Sequence, residues 1–217
     1  MEIDDRAARS ERPVSAPRPP APPAKASGLR RHRALLARLA GGPAPEAVIL
    51  GDSLAAGWPG PDLEAATGCP TLNLGLPGDR VQTTRWRLAA LAAFAIRPRL
   101  AVTMVGTNSF ADGDGETRVI AGLAALLAAL RAAWAPPVIV LATVPWRESP
   151  PGRSEADRLA LNAALADLAD REALLLLDCD AALGPDHAAG LEADRLHLNA
   201  CGYAALSGAL AALVRGA

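Results

Sequence analysis

Lysine is almost missing from this chain. Lys25 is the only one, and arginine supplies the rest of the 22 basic residues. With 23 acidic residues the formal net charge is −1, so the chain lacks the basic footprint of a nucleic-acid binder. The arginine bias, with the heavy use of alanine, reads as genome composition rather than function. Aromatic residues make up only 3% of the chain, which weakly disfavours an aromatic sugar-binding platform. Cysteine is sparse too: Cys69, Cys179 and Cys201 form an odd set without CxxC spacing. Small buried thiols in a reducing compartment fit that pattern better than a disulfide framework. No apolar run approaches the roughly 18 residues of a membrane span. The N-terminus has charge but no apolar signal core. A cytoplasmic chain without a membrane span is the default expectation. A Gly-rich phosphate fingerprint is also lacking.

What is present is enough for one large domain: 217 residues, 51% of them hydrophobic, can bury a substantial core. Residues 1–28 stand apart, with Pro13, Pro17, Pro19, Pro20, Pro22 and Pro23 set among Ala, Ser and Arg. Such a segment buries too little apolar surface to offset its ordering entropy. We read 1–28 as a disordered, partly polyproline-like tail and 29–217 as the folded domain. Leu29 to Ala40 reads as an amphipathic helix with a Leu35, Leu36, Leu39 stripe, stopped by Gly41-Gly42-Pro43. Apolar runs at 46–51, 70–74, 99–105, 137–143 and 173–178 then alternate with helical stretches near 80–94, 116–134 and 154–171, and a last helix covers 199–215. Strands apolar on both faces and separated by helices predict a parallel sheet covered on both sides. The expected fold is a three-layer α/β/α sandwich with five parallel strands in the flavodoxin-like order 2-1-3-4-5. No internal repeat is visible.

The most informative stretch is Gly51-Asp52-Ser53-Leu54, directly after the strand Ala47-Val48-Ile49-Leu50. It is answered near the far end by Asp194-Arg195-Leu196-His197. In the expected order, sites form beyond the carboxyl ends of the strands at the switch point between strands one and three. Ser53 follows strand one, Gly78 follows strand two and Asn108 follows strand three. His197 follows the edge strand, yet the segment from Cys179 to Asp194 spans about 50 Å when extended, so reach is no obstacle. The residue types then suggest nucleophilic catalysis. A serine hydroxyl needs a base to take its proton. His197 has the chemistry for that, and Asp194 three residues earlier can fix its tautomer. The N–H groups of Ser53 and Gly78 and the Asn108 amide are natural donors to an oxyanion. Each fragment alone is an ordinary turn motif; the weight lies in their order and placement. The reading is an esterase acting on a small-molecule acyl ester. A non-catalytic flavodoxin-like binding domain, with a phosphate on the loop after strand one, explains Gly51–Ser53 but leaves Asp194 and His197 idle. Acyl transfer through the same acyl-enzyme stays open.

These residues resemble the four motif blocks of the SGNH, or GDSL-type, hydrolase superfamily, centred on Ser53, Gly78, Asn108 and His197, with Asp194 matching its acid. The likeness is greatest to the platelet-activating-factor acetylhydrolase-like group of catalytic-subunit type. It is carried by Gly51-Asp52-Ser53 with Gly57-Trp58, Gly78-Asp79-Arg80 leading to Trp86-Arg87-Leu88, Val105-Gly106-Thr107-Asn108, and Leu196-His197-Leu198-Asn199 with Gly202-Tyr203. The resemblance implies a serine esterase of short acyl groups, acetyl among them, with no metal or organic cofactor. It extends to a homodimer, since that group's catalytic subunits pair. Many superfamily members carry Asp after the third-block Asn, where this chain has Ser109; the acetylhydrolase-like group lacks that Asp as well.

Nearby residues have plainer readings. Trp58 and Trp146 follow strand ends and suit either a wall of the substrate pocket or packing. Asp52 reads as a structural carboxylate bonded to loop amides, and Asp79 as a supporting or turn residue. Trp86 and Arg87 read as packing and surface-pairing residues. His32 is expected on a solvated helix face and His187 in a loop at the site rim. Cys201 is kept only because it lies close to His197.

Overall fold

The computed structural model describes residues 16–216. Five strands, β1 Ala47–Gly51, β2 Thr71–Asn73, β3 Leu100–Met104, β4 Val138–Ala142 and β5 Leu175–Leu177, pair in the order β2-β1-β3-β4-β5. All four pairings are parallel. This is the expected 2-1-3-4-5 sheet.

Side chains alternate across each strand, and the core divides accordingly. Val48, Leu50 and Ala101 face one layer, where they pack with Leu88, Leu123, Leu127, Leu161 and Leu165. Those leucines come from α4 Val81–Leu91, α6 Glu116–Trp134 and α7 Glu155–Arg171. Ala47, Ile49 and Val102 face the other layer with Leu63, Leu206 and Leu210, from α3 Gly60–Thr67 and α9 Ala200–Arg215. Every residue of β1 and β3 is buried, which is why these central strands read as unbroken apolar runs. Helix α6 is long and apolar enough to cross a membrane by length and composition. Here its Leu123, Leu126, Leu127 and Leu130 are buried against the sheet.

Local signals set the helix ends. Ser154 and Asp157 form a reciprocal capping box at the start of α7. Asn199 caps α9 by accepting from the Gly202 N–H. Short helices α2 Ser53–Ala56, α5 Thr107–Ala111 and α8 Cys179–Leu183 follow β1, β3 and β5; with α3 they are additions to the sequence reading.

Two expectations change. Helix α1 spans Ala26–Gly41, so it begins inside the segment read as a tail. Residues 1–15 of that tail lie outside the described residues. The rest runs along α4: the Ala21 N–H donates to the Gln82 carbonyl at 3.4 Å, and Arg18 pairs with Asp114 at 2.7 Å. His32 is not solvated but 3% exposed, its ring tilted against Trp86 at 5.4 Å between centroids. Burial, and then the nearby Arg87 cation, hold its pKa down to about 4.

Candidate active site

The site grows from the carboxyl end of β1. Gly51 must be glycine, because a Cβ there would lie 2.0 Å from the Met104 carbonyl oxygen. This close approach lets the Asp52 N–H donate to that carbonyl at 3.2 Å. The Leu76 N–H in turn donates to the Gly51 carbonyl at 2.9 Å. The loops after β1, β2 and β3 are thus stitched together by backbone bonds.

Asp52 is buried, and its Oδ1 accepts from the Leu54 N–H at 3.0 Å. That cap starts α2 at Ser53, so the serine leaves the sheet as the first helical residue. Burial pushes the Asp52 carboxyl up to about 7, against the pull of the Leu54 and Gly106 N–H groups. The far side of α2 is tied to α9, where the Tyr203 hydroxyl donates to the Leu54 carbonyl at 2.9 Å.

His197 arrives from the segment before α9. Leu191 and Leu198 form an isolated antiparallel bridge, and the Glu192 N–H donates to the His197 carbonyl at 2.8 Å. Asn199 adds two side-chain donations, to the carbonyls of Ala189 and Leu191. Inside this small hairpin, Asp194 Oδ1 accepts from the N–H groups of Leu196 and His197, both at 3.0 Å. Asp194 Oδ2 meets His197 Nδ1 at 2.6 Å, and His197 Nε2 lies 2.9 Å from Ser53 Oγ. The three side chains form one hydrogen-bonded chain across 144 residues of sequence. The ring bond and the two N–H donors hold the Asp194 carboxyl down to about 2.

Gly78 and Asn108 sit at the other rim. Gly78 has φ +83, and a Cβ there would meet nothing within 4 Å; glycine serves the backbone turn rather than a tight contact. The Asn108 Nδ2 donates to the Asp79 carbonyl at 2.8 Å. Ser109 adds a second tie, its Oγ accepting from the Val81 N–H at 3.2 Å. Below this loop lies a charge pair that takes in Arg87, expected from the sequence to be a surface-pairing residue. Arg87 and Asp79 are both fully buried and paired. Arg87 also donates to the Leu74 carbonyl, and the Thr84 hydroxyl donates to Asp79 at 3.1 Å. Burial pushes the Asp79 carboxyl up, while Arg87 pulls it back.

The two tryptophans part company. Trp58 is 2% exposed, with its Nε1 donating to Ser207 Oγ at 2.9 Å and its ring 6.0 Å from that of Tyr203. It packs the core, and almost none of its surface is left for a ligand. Trp146 is half-buried, stacked on His187 at 6.3 Å and covered by the Arg195 guanidinium at 5.0 Å. Its neighbour Arg147 was missed by the sequence reading. This half-buried guanidinium donates to Thr107 Oγ1 at 2.9 Å. Burial lowers its pKa, opposed by the charges of Asp52 and Asp194. Its place directly after Trp146, beyond the end of β4, was the available signal. Cys69 and Cys179 are buried and Cys201 is exposed. Among the described residues, no group of three or more His, Cys, Asp or Glu side chains is disposed to hold a metal ion.

Known proteins resemble this chain in sequence and in fold. Bovine platelet-activating factor acetylhydrolase IB subunit alpha1 is 30% identical over 178 residues, 78% of this chain and 75% of its own. A lipase/acylhydrolase from Enterococcus faecalis superposes with a TM-score of 0.66 at 20% identity, covering 78% of this chain and 95% of its own. The acetylxylan esterase of Geobacillus stearothermophilus gives 0.63 at 18% identity, covering 80% and 95%. Residues 49–205 match the model of one family, and on that match and the bovine likeness the chain belongs to the GDSL-like lipase/acylhydrolase family.

Proposed function

We propose that this protein is a serine esterase that removes short acyl groups, acetyl foremost, with Ser53 as nucleophile, His197 as base and Asp194 as its orienting acid. The observation that carries the proposal is the unbroken chain from Asp194 Oδ2 through the imidazole to Ser53 Oγ, at 2.6 and 2.9 Å. A binding domain would have no task for that chain.

In the first half-reaction Ser53 Oγ bonds to the ester carbonyl carbon while His197 Nε2 takes the hydroxyl proton. The carbonyl electron pair moves to oxygen, where the N–H groups of Ser53 and Gly78 and the Asn108 amide receive it. Collapse breaks the bond to the alcohol oxygen, and His197 returns the proton to that leaving group. Water then repeats the cycle on the acyl-serine, with His197 again as base, and releases the carboxylic acid. Asp194 stays ionised throughout and supports the imidazolium. The Asn108 Nδ2 spends one hydrogen on the Asp79 carbonyl, and the other is available to the oxyanion. The preference for small acyl groups draws on the relatives, an acetylhydrolase subunit and an acetylxylan esterase.

The test is hydrolysis of p-nitrophenyl acetate by purified protein, paired with labelling by a fluorophosphonate. The wild type should turn over and gain one adduct at Ser53. Ser53→Ala should lose both, with turnover down by roughly 10³-fold or more. Undiminished turnover in Ser53→Ala and His197→Ala overturns the assignment.

A further inference from the structure

We infer that the esters this protein prefers carry an anionic group, a carboxylate or phosphate, seated in a pocket that the N-terminal segment builds beside Gly78 and Asn108. The inference rests on the esterase reading above and goes further by naming a feature of the substrate.

A cavity of about 430 Å³ lies between the start of α1 and the loop after β2, lined among others by Lys25, Gly28, Arg31, Gly78, Arg80 and Asn108. Two of these, Gly78 and Asn108, are the proposed oxyanion donors, so a group in the cavity lies next to the reacting carbonyl. The opposite wall is the segment expected to be a loose tail. It is fastened on α4 by the Ala21 to Gln82 bond. It is held a second time by Arg18, which bonds Asp114 through its guanidinium and accepts from Arg85 on its carbonyl at 3.2 Å.

The charge of this wall is one-sided. Arg80 is compensated by Asp112, and Asp79, the one carboxylate in the lining, is buried and paired with Arg87. Lys25 and Arg31 are exposed, and among the described residues neither has a carboxylate within ion-pair distance. The first turn of α1 carries no acidic residue to offset them. Two cations in one concave wall, without a carboxylate partner among the described residues, in a chain with a single lysine and near-zero net charge, favour an anion over a neutral group of the same shape.

The experiment compares kcat/KM within matched ester pairs. One pair carries the charge on the acyl side, the p-nitrophenyl monoester of glutaric acid against p-nitrophenyl valerate. Two others carry it on the alcohol side: 4-acetoxybenzoate against 4-acetoxybenzamide, and 4-acetoxyphenyl phosphate against 4-acetoxyphenyl methyl ether. The anionic member of at least one pair should be preferred by roughly tenfold, less at high salt. The preference should vanish in the Lys25→Ala, Arg31→Ala double variant and persist in Arg33→Ala, an exposed α1 arginine outside the lining. Neutral esters cleaved with no preference in any pair, or a preference that survives the double variant, overturn the inference and leave the esterase reading standing. No cleavage of any ester and no fluorophosphonate adduct overturn both.

Discussion

Arg87→Met is the most informative single change away from the reacting atoms. Arg87 and Asp79 have no exposed side-chain surface, so removing the guanidinium strands a carboxyl that burial already pushes up. Breaking a buried pair by deleting one partner costs about 3–5 kcal/mol. The Leu74 carbonyl also loses the donor it has in Arg87, a further cost of about 1 kcal/mol. Methionine fills much of the space, which keeps the cavity contribution small. A loss near 4–6 kcal/mol in a chain of this size lowers Tm by roughly 8–24 °C. Adding Asp79→Asn should return much of that, since a neutral pair has no buried charge to strand; the cycle should show at least about 2 kcal/mol of coupling. The pH dependence has a definite sign. A carboxyl whose folded pKa is raised binds its proton more tightly in the folded state, so the single variant should be least stable at high pH and recover on acidification. Urea unfolding at pH 5 and pH 8 measures all of this. An Arg87→Met loss under about 1 kcal/mol, or additive single and double variants, would refute the argument.

Asp194→Asn should lower kcat by about 10²–10⁴ with the circular dichroism spectrum unchanged, because the imidazole loses the acceptor on Nδ1; a change within threefold on p-nitrophenyl acetate would count against the acid's role. Asp194 stays ionised down to about 2, so its share of stability is present above the usual carboxylate range and lost only as pH falls toward 2. Asp52 runs the other way: with its carboxyl pushed up to about 7, its contribution is greatest below pH 4 and shrinks as pH rises to 7. Asp52→Asn should therefore remove a decline of a few kcal/mol between pH 4 and 8 in denaturant titrations, and an identical slope in both proteins would exclude the effect. Gly78→Ala forces a side chain onto φ +83, a strain of about 1–3 kcal/mol, and should cut kcat more than it raises KM; unchanged kcat would detach the Gly78 N–H from the oxyanion.

The sheet was legible because its strands are apolar on both faces, a pattern that survives without knowing any neighbour. The candidate site was legible because Ser53, Gly78 and Asn108 each follow a strand whose position the order 2-1-3-4-5 fixes. What escaped depends on partners far away in the chain. Arg87 reads as a surface residue until Asp79 and the Leu74 carbonyl are brought beneath it. His32 looks solvated until Trp86 closes over it. The proline-rich segment before α1 has no local reason to be ordered; Arg18 finds Asp114 across 96 residues. Ser109 looked like a departure from a pattern, and it supplies an acceptor to Val81 instead. Helices such as α2 and α5 have four and five residues, too few to show a period.

The serine and the imidazole are anchored with unequal strength. Ser53 follows a strand buried at every position, whereas the His197 and Asp194 side chains are 40% and 52% exposed on a short hairpin held by the Leu191–Leu198 bridge, the Glu192 bond to the His197 carbonyl and two Asn199 donations. The exposed hairpin is the weaker mount, and it should open at a lower free energy than the sheet. If His197 serves the proposed reaction, gentle heating or dilute urea should abolish turnover before the circular dichroism changes, and cooling should restore it. On that reasoning, bracing the eight residues from Leu191 to Leu198 should raise the temperature at which turnover is lost more than enlarging the core would.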